Sequence, residues 1–265
     1  MASQQKIIRI TTVPISLKVL LKKQLRFMSD HFEVVGVSSP GKELAEVAAQ
    51  EGIRTVGINM TRAITPVKDL RALWSLYRLF KKEKPTIVHT HTPKAGMLGM
   101  LAGRLAGVPV RLHTVAGLPL MEATGKKRLL LERVEKITYA AATKVYPNSG
   151  NLAGFILRKQ FCPAAKVKVL GNGSSNGIDT SFFITGPELE KSAEKLRQEL
   201  QIKTTDFVFV FIGRLVRDKG IEELVEAFGQ VKKKHPGVKL LLVGPFEPEL
   251  DPIGEQTKAA ISQDA

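Results

Sequence analysis

The sequence predicts an α/β protein with two Rossmann-like, doubly wound parallel sheets, the second of them incomplete. Three observations predict it. Short β-branched runs alternate with longer segments of helical period, the pattern of a parallel sheet covered by helices. The short runs are nearly continuously apolar, as strands buried on both faces are. Charge also changes sign along the 265 residues: 1–180 carry 28 Lys and Arg against 11 Asp and Glu, whereas 181–265 carry 12 against 14. That contrast predicts two units, 1–180 and 181–265, with different partners. The positive unit favours anionic surfaces such as acidic lipid, phosphorylated ligands or nucleic acid.

In order, the first unit predicts strands over 6–12, 33–38, 54–58, 86–91, 110–115, 144–147 and 166–170. Helical period fills 17–31, 42–51, 67–82, 95–106, 126–142 and 152–160. The 126–142 helix places Leu129, Leu130, Val134, Ile137 and Ala141 on one side, with basic residues opposite. A turn-rich stretch, Gly171-Asn172-Gly173-Ser174-Ser175-Asn176-Gly177, reads as a crossing between units. Beyond it come a charged helix over 188–200, a strand over 206–212, a helix over 221–234, a strand over 238–243 and a weak helix over 255–262. Two strands are few for an independent doubly wound domain, so the second unit reads as unfinished.

Several function classes fall away. A single cysteine, Cys162, excludes an internal disulfide and a multi-cysteine zinc site, and fits a reducing compartment. No apolar run reaches the ~18 residues of a spanning helix, and the N-terminus lacks a signal-peptide core. A cytoplasmic protein, peripheral on the inner face of the membrane, is expected. Thr11-Thr12-Val13-Pro14-Ile15-Ser16 after the first strand holds no glycine, which argues against an NAD-type site. Aromatic residues make up 6% with one Trp, too few for a base-stacking surface, so no nucleic acid is expected. Lys18 and Lys22 with Leu17, Leu20, Leu21 and Leu25 instead form a cationic amphipathic helix suited to an anionic bilayer.

The segment richest in chemistry is Phe207 to Gly220, where a strand ends at Gly213 and a polar loop carries Arg214 and Lys219 to a helix start at Gly220. Ligands of open α/β sheets sit at the carboxyl ends of strands, and helix N-termini there offer unpaired N–H groups to phosphate. A forked Arg and a point-charge Lys suit a diphosphate; a solvated turn with Asp218 pairing locally is the alternative. His89 and His91 share one face of a strand end, ready for polar contact with a ligand or for capping the next helix. No obvious third ligand accompanies them for a metal. Lys94, opening that helix, suits an acceptor phosphate, and Ser149 follows another strand end as ligand contact or N-cap.

Gly213-Arg214-Leu215-x-x-x-Lys219-Gly220, with 240–244 after it, resembles the donor-half signature of family 4 (group 1) retaining glycosyltransferases of the GT-B fold. In the same order, Val88-His89-Thr90-His91-Thr92-Pro93-Lys94-Ala95-Gly96 resembles the family's His-x-His strand end. Asn176-Gly177-Ile178-Asp179 resembles its interdomain Asn-Gly-x-Asp stretch. Thr11-Thr12-Val13-Pro14-Ile15-Ser16-Leu17 and Gly117-Leu118-Pro119 point to the branch that builds bacterial surface polysaccharides on lipid carriers. The resemblance implies that Gly213, Arg214, Lys219 and Gly220 bind the donor diphosphate of a nucleotide-sugar. It implies a polyprenyl-diphosphate-linked saccharide as acceptor, Asn176 and Asp179 as interdomain residues, and no metal or cofactor. Many relatives carry a catalytic His where this chain has Ala116, which leaves His113 as the candidate, against a strand histidine satisfied in the core. The family's Glu-x7-Glu motif does not occur before Ala265, so the chain reads as a fragment of the complete enzyme. The alternatives are a UDP-sugar 2-epimerase and a non-catalytic anionic-membrane-binding module.

Overall fold

The computed structural model describes residues 5–174, 177–247 and 251–263, and the chain divides into two units, 1–178 and 179–265. In the first, β1 (Lys6–Ile10), β2 (Glu33–Ser38), β3 (Arg54–Gly57), β4 (Ile87–Thr90), β5 (Val110–Val115) and β6 (Lys144–Pro147) form one all-parallel sheet. Its order is β3-β2-β1-β4-β5-β6, so the strand order reverses between β1 and β4. At such a switch point the flanking loops part and leave room for ligand.

Alternation along β1 divides the core. Ile7 packs with Leu17, Leu21, Leu25, Val34 and Leu44 against α1 (Pro14–Leu20), α2 (Gln24–Ser29) and α3 (Lys42–Glu51). Ile8 and Ile10 pack on the other face with Leu76, Phe80, Leu98, Met100 and Tyr139. That layer is built by α4 (Pro66–Glu83), α5 (Pro93–Ala106) and α6 (Gly125–Ala141), with α7 (Gly150–Arg158) beyond. At the amino end of the sheet, Glu83 accepts from Lys6 Nζ at 2.7 Å and from both terminal nitrogens of Arg54. Those hydrogen bonds, Arg54 foremost, hold its carboxyl down at about 2.

Four local expectations are corrected. The helix expected over 17–31 is two helices, broken where Lys23 adopts φ +65°; the Glu51 carboxylate accepts from the Lys23 and Arg26 N–H groups and caps the second piece. Leu17, Leu21 and Leu25 are fully buried and Lys18 pairs with Glu46 at 2.7 Å, so this apolar face is core and is closed to a bilayer. The strand expected over 166–170 is reduced to a single bridge between Val167 and Val145. Lys166 there turns aside, its Nζ donating to the carbonyls of Tyr139, Ala140 and Ala142 at the end of α6. Finally, α6 buries Glu135, Thr138, Tyr139 and Ala141, while Leu129, Leu130 and Ile137 face solvent.

The second unit contains α8 (Pro187–Glu199), β7 (Phe207–Ile212), α9 (Ile221–Lys234), β8 (Val238–Val243) and α10 (Glu255–Gln263). β7 and β8 pair in parallel from Phe207↔Val238 to Ile212↔Val243 and make up the whole sheet among the described residues. A small core of Leu215, Ile221 and Ile253 sits beneath the loop that follows β7. The expectation that β7 is buried on both faces does not hold: Ile212 is 79% exposed and Phe207 63%. Helices, not neighbouring strands, cover the faces of a parallel sheet, and the described helices of this unit leave β7 partly open.

Candidate functional site

In the second unit the candidate loop is built by two strand ends that approach closely. Gly213 donates to the Val243 carbonyl at 2.9 Å and Leu215 to that of Pro245 at 2.9 Å. A side chain at Gly244 would run into the Gly213 carbonyl, and its φ of +153° is one that L-residues rarely adopt. Glycine is therefore required there. Leu215 and Val216 are buried beneath the loop, which lifts Arg214 half out and leaves Lys219 exposed. Gly220, at φ +71°, turns the chain into α9.

Arg214 donates to Glu247 at 2.7 Å and lies 3.5 Å from Asp218; the Glu247 hydrogen bond, above all, raises its pKa. Asp251 accepts from the Asp218 N–H at 2.6 Å, and Glu222 accepts from the Gly254 N–H at 2.6 Å while pairing with Arg217. The loop is thus fixed by carboxylates. Its Lys219 ammonium makes no hydrogen bond or ion pair with any described residue. Chemically this is a cation pair at a strand's carboxyl end beside the start of α9, one member held by acids and the other exposed to solvent.

In the first unit the three candidate histidines lie at the carboxyl ends of β4 and β5. The register pairs Arg9 with His89 and Thr90 with His113. Period-two alternation then places Arg9, His89 and His91 on the α1–α2 side, and Thr90 and His113 on the α5 side. The His89 and His91 rings stand 4.1 Å apart. His89 Nε2 meets Thr114 Oγ1 at 2.8 Å, and His113 Nδ1 meets Thr90 Oγ1 at 2.8 Å. Arg9 Nε donates to His91 Nε2 at 2.9 Å, which requires that nitrogen unprotonated and puts the ring proton on Nδ1. Burial first, then the neighbouring charges, pushes His89 and His91 well below the usual histidine range. Burial likewise brings His113 down to about 4. Neither His89 nor His91 caps the next helix; Thr12 does, its Oγ1 accepting from Ala95 N–H at 3.3 Å and meeting Thr92 Oγ1 at 2.7 Å.

His91, His113 and Glu135 line a cavity of about 30 Å³ with Thr114, Ala116 and Gly117, room for about one water. Glu135 is pushed up to about 6 by burial. A Cβ at residue 96 would strike the His113 ring, so glycine there gives the ring its room. Among the described residues no three His, Cys, Asp or Glu side chains come together as a metal-holding group.

The remaining candidates are held locally. Lys94 Nζ donates to Asp69 at 2.5 Å and to the Ala63 carbonyl at 2.7 Å, tying the start of α5 to the first turn of α4 and to the loop before α4. Ser149 caps α7, its Oγ accepting from Leu152 N–H at 3.2 Å. Asp179 accepts from the Ser181 N–H and hydroxyl in an exposed turn. Asn176 lies outside the described residues. Three residues were not anticipated: Arg9, Glu135 and Glu247. An Arg inside Lys6-Ile7-Ile8-Arg9-Ile10 breaks an apolar strand and was the readable signal for the first; the other two sit among many surface-type glutamates.

A six-stranded Rossmann-like sheet followed by a second α/β unit with fewer strands, each carrying polar loops at its strand ends, defines the GT-B class. The glycosyl transferase 4-like domain matches residues 22–173, and the glycosyl transferases group 1 family matches residues 192–264. The chain belongs to the glycosyl transferase 4-like family. It is 38% identical over 247 residues to the capsular polysaccharide biosynthesis glycosyltransferase CapM of Staphylococcus aureus, covering 92% of this chain and 62% of CapM. It is 35% identical over 170 residues to the Escherichia coli UDP-Gal:alpha-D-GlcNAc-diphosphoundecaprenol alpha-1,3-galactosyltransferase, covering 63% and 42%. The chain thus spans less than two thirds of these relatives. In fold it resembles Anabaena Alr3699/HepE in complex with UDP and glucose (TM-score 0.71, 18% identity, covering 98% of this chain and 64% of that one). It also resembles the UDP-GlcNAc 2-epimerase from Neisseria meningitidis bound to UDP-GlcNAc (TM-score 0.61, 16% identity, 98% and 69%).

Proposed function

We propose that the protein, as part of a complete enzyme, transfers a sugar with retention of configuration from a nucleotide-diphosphate sugar to a polyprenyl-diphosphate-linked saccharide in surface-polysaccharide synthesis. The observation that carries this is the loop after β7, where Arg214 and Lys219 stand beside the start of α9. The donor diphosphate lies against these cations, Arg214 exchanging Glu247 for phosphate oxygens and Lys219 supplying a point charge. As the glycosidic bond breaks, negative charge grows on the leaving nucleoside diphosphate, and fixed cations there stabilise the transition state more than the ground state. The first unit receives the acceptor at the carboxyl ends of β4 and β5. There the neutral histidines, held by Arg9, Thr90 and Thr114, supply hydrogen bonds rather than charge. Lipid-linked acceptors bring the protein to the anionic inner face of the membrane. Among the described residues no helix is long and apolar enough to cross it.

CapM and the E. coli galactosyltransferase, named for capsule synthesis and for an undecaprenol-linked substrate, support this reading. The test has two parts. The 265-residue chain should bind UDP or another nucleoside diphosphate weakly by calorimetry, and Lys219→Ala should weaken that binding about tenfold. A version extended to the relatives' full length should release nucleoside diphosphate only when donor and acceptor are both present. Consumption of UDP-sugar without acceptor would favour a 2-epimerase, the second reading that the fold likeness keeps open. No turnover on any sugar-nucleotide would sink both.

A further inference from the structure

We infer that the outer face of α4 and α5 is a docking surface for an anionic lipid bilayer, seated through Trp74. Val67, Leu70, Trp74 and Tyr77 follow one another at i, i+3, i+7 and i+10 on α4, so they form a single stripe. That stripe is turned away from the sheet, which α4 meets through Ala72, Leu76 and Phe80. Trp74 is 60% exposed, and Leu70 and Leu105 are each 67% exposed. Trp74 stacks on Tyr77 with ring centroids 5.2 Å apart. With Leu73 and with Leu105 of α5 they line an open apolar cavity of about 270 Å³. Scattered exposed apolar residues need no explanation, but a contiguous groove built around an aromatic pair marks an interaction site.

Charge decides the occupant. Lys68, Arg71, Arg78, Lys81 and Lys82 on α4 and Arg104 on α5 all face solvent. The two helices contain just two acidic residues, and both are used internally: Asp69 by Lys94 and Thr65, Glu83 by Lys6 and Arg54. The apolar stripe is therefore rimmed by cations whose helices expose no free carboxylate. Aromatic rings at the headgroup level and basic side chains around an apolar wedge are the features of an interfacial helix on anionic lipid. This surface replaces the one expected on the 17–31 segment, whose leucines are consumed by the core. Its purpose rests on the lipid-linked acceptor proposed above; the test uses neither nucleotide nor sugar, so the two readings can fail separately.

Trp74 is the sole tryptophan of the sequence, so intrinsic fluorescence reports on the face directly. On phosphatidylglycerol–phosphatidylcholine vesicles its emission should shift to shorter wavelength, and the protein should co-float with them at low salt and less so at high salt. Trp74→Ser with Leu70→Ser, and separately Arg71→Glu with Arg78→Glu, should each lower the partition coefficient about tenfold or more. The second pair lies wholly on the surface and covers the case in which the first unsettles the fold. Lys22→Glu with Arg26→Glu, the same charge change on the opposite side of the sheet, should alter partition by less than about twofold. An unmoved emission, or equal binding to neutral phosphatidylcholine, would overturn the inference. So would binding lost only in the Lys22/Arg26 variant. Self-association that is abolished by Trp74→Ser with Leu70→Ser, without vesicle binding, would assign the face to a second copy of the chain instead.

Discussion

The ends of β4 and β7 hold corresponding places, each the carboxyl end of a parallel strand leading into a helix, yet they treat their polar residues in opposite ways. At β4, six strands and two helical layers enclose the ends, so His89, His91 and His113 are neutral and each is bonded to a named neighbour. At β7, the two strands among the described residues enclose little, and Arg214 and Lys219 hold their cationic groups towards the surface. The difference teaches that sheet width sets the chemistry of the strand end. A wide sheet makes a site of fixed, uncharged hydrogen bonds, whereas a narrow one leaves cationic side chains within reach of solvent.

The largest test of the closed end is acid. A buried histidine stays neutral while its unfolded counterpart protonates below about 6.5, so stability is lost as pH falls from there towards the folded value. For His113, held at about 4, that amounts to about 3 kcal/mol over the whole window. His89 and His91 act in the same direction. Glu135, pushed up to about 6, opposes them, its contribution being present below its unfolded value and lost as pH rises through 6. The urea midpoint should therefore drop between pH 7 and pH 5, and His113→Asn should flatten that drop. A midpoint independent of pH would mean that water reaches these rings.

Gly96→Ala comes next, since the added methyl meets the His113 ring, which Thr90 holds in place; thermal denaturation should show a loss of about 1–3 kcal/mol. At the open end, Arg214→Ala should weaken nucleoside-diphosphate binding about tenfold with little change in melting temperature, separating a binding cation from a structural one. Ser149→Ala should cost about 1 kcal/mol through the lost α7 cap while leaving ligand binding alone. The smallest effect is expected from Glu247→Gln. Freeing Arg214 from its carboxylate should tighten diphosphate binding by about threefold, and weaker binding would show that Glu247 positions Arg214 rather than competing for it.

The alternation of elements was legible because it rests on local periodicity: β2, β5, β6, α3, α9 and β8 fall over the ranges the pattern predicts. The loop from Gly213 to Gly220 was legible for the same reason, being turn chemistry attached to a strand end. The break at Lys23 was not, because the group that caps α2, Glu51, lies 28 residues further on. Nor could the pattern choose the inner face of α6. Its sequence offers two arcs, Leu129-Leu130-Ile137 and Glu135-Thr138-Tyr139, and the second is buried although it is more polar. Packing against α5 and the end of the sheet overrode hydrophobicity there.

Sequence alone determined the α/β alternation, the charge contrast between the two halves and the cationic loop after β7, since each is a property of neighbours along the chain. Tertiary structure alone decided that the histidines are neutral, that Arg9 fixes the tautomer of His91, that Lys94 is bound to Asp69, and that Trp74 rather than Leu17 faces solvent. Those depend on which groups are withdrawn from water, and withdrawal from water is set by residues distant in sequence that only the folded chain brings together.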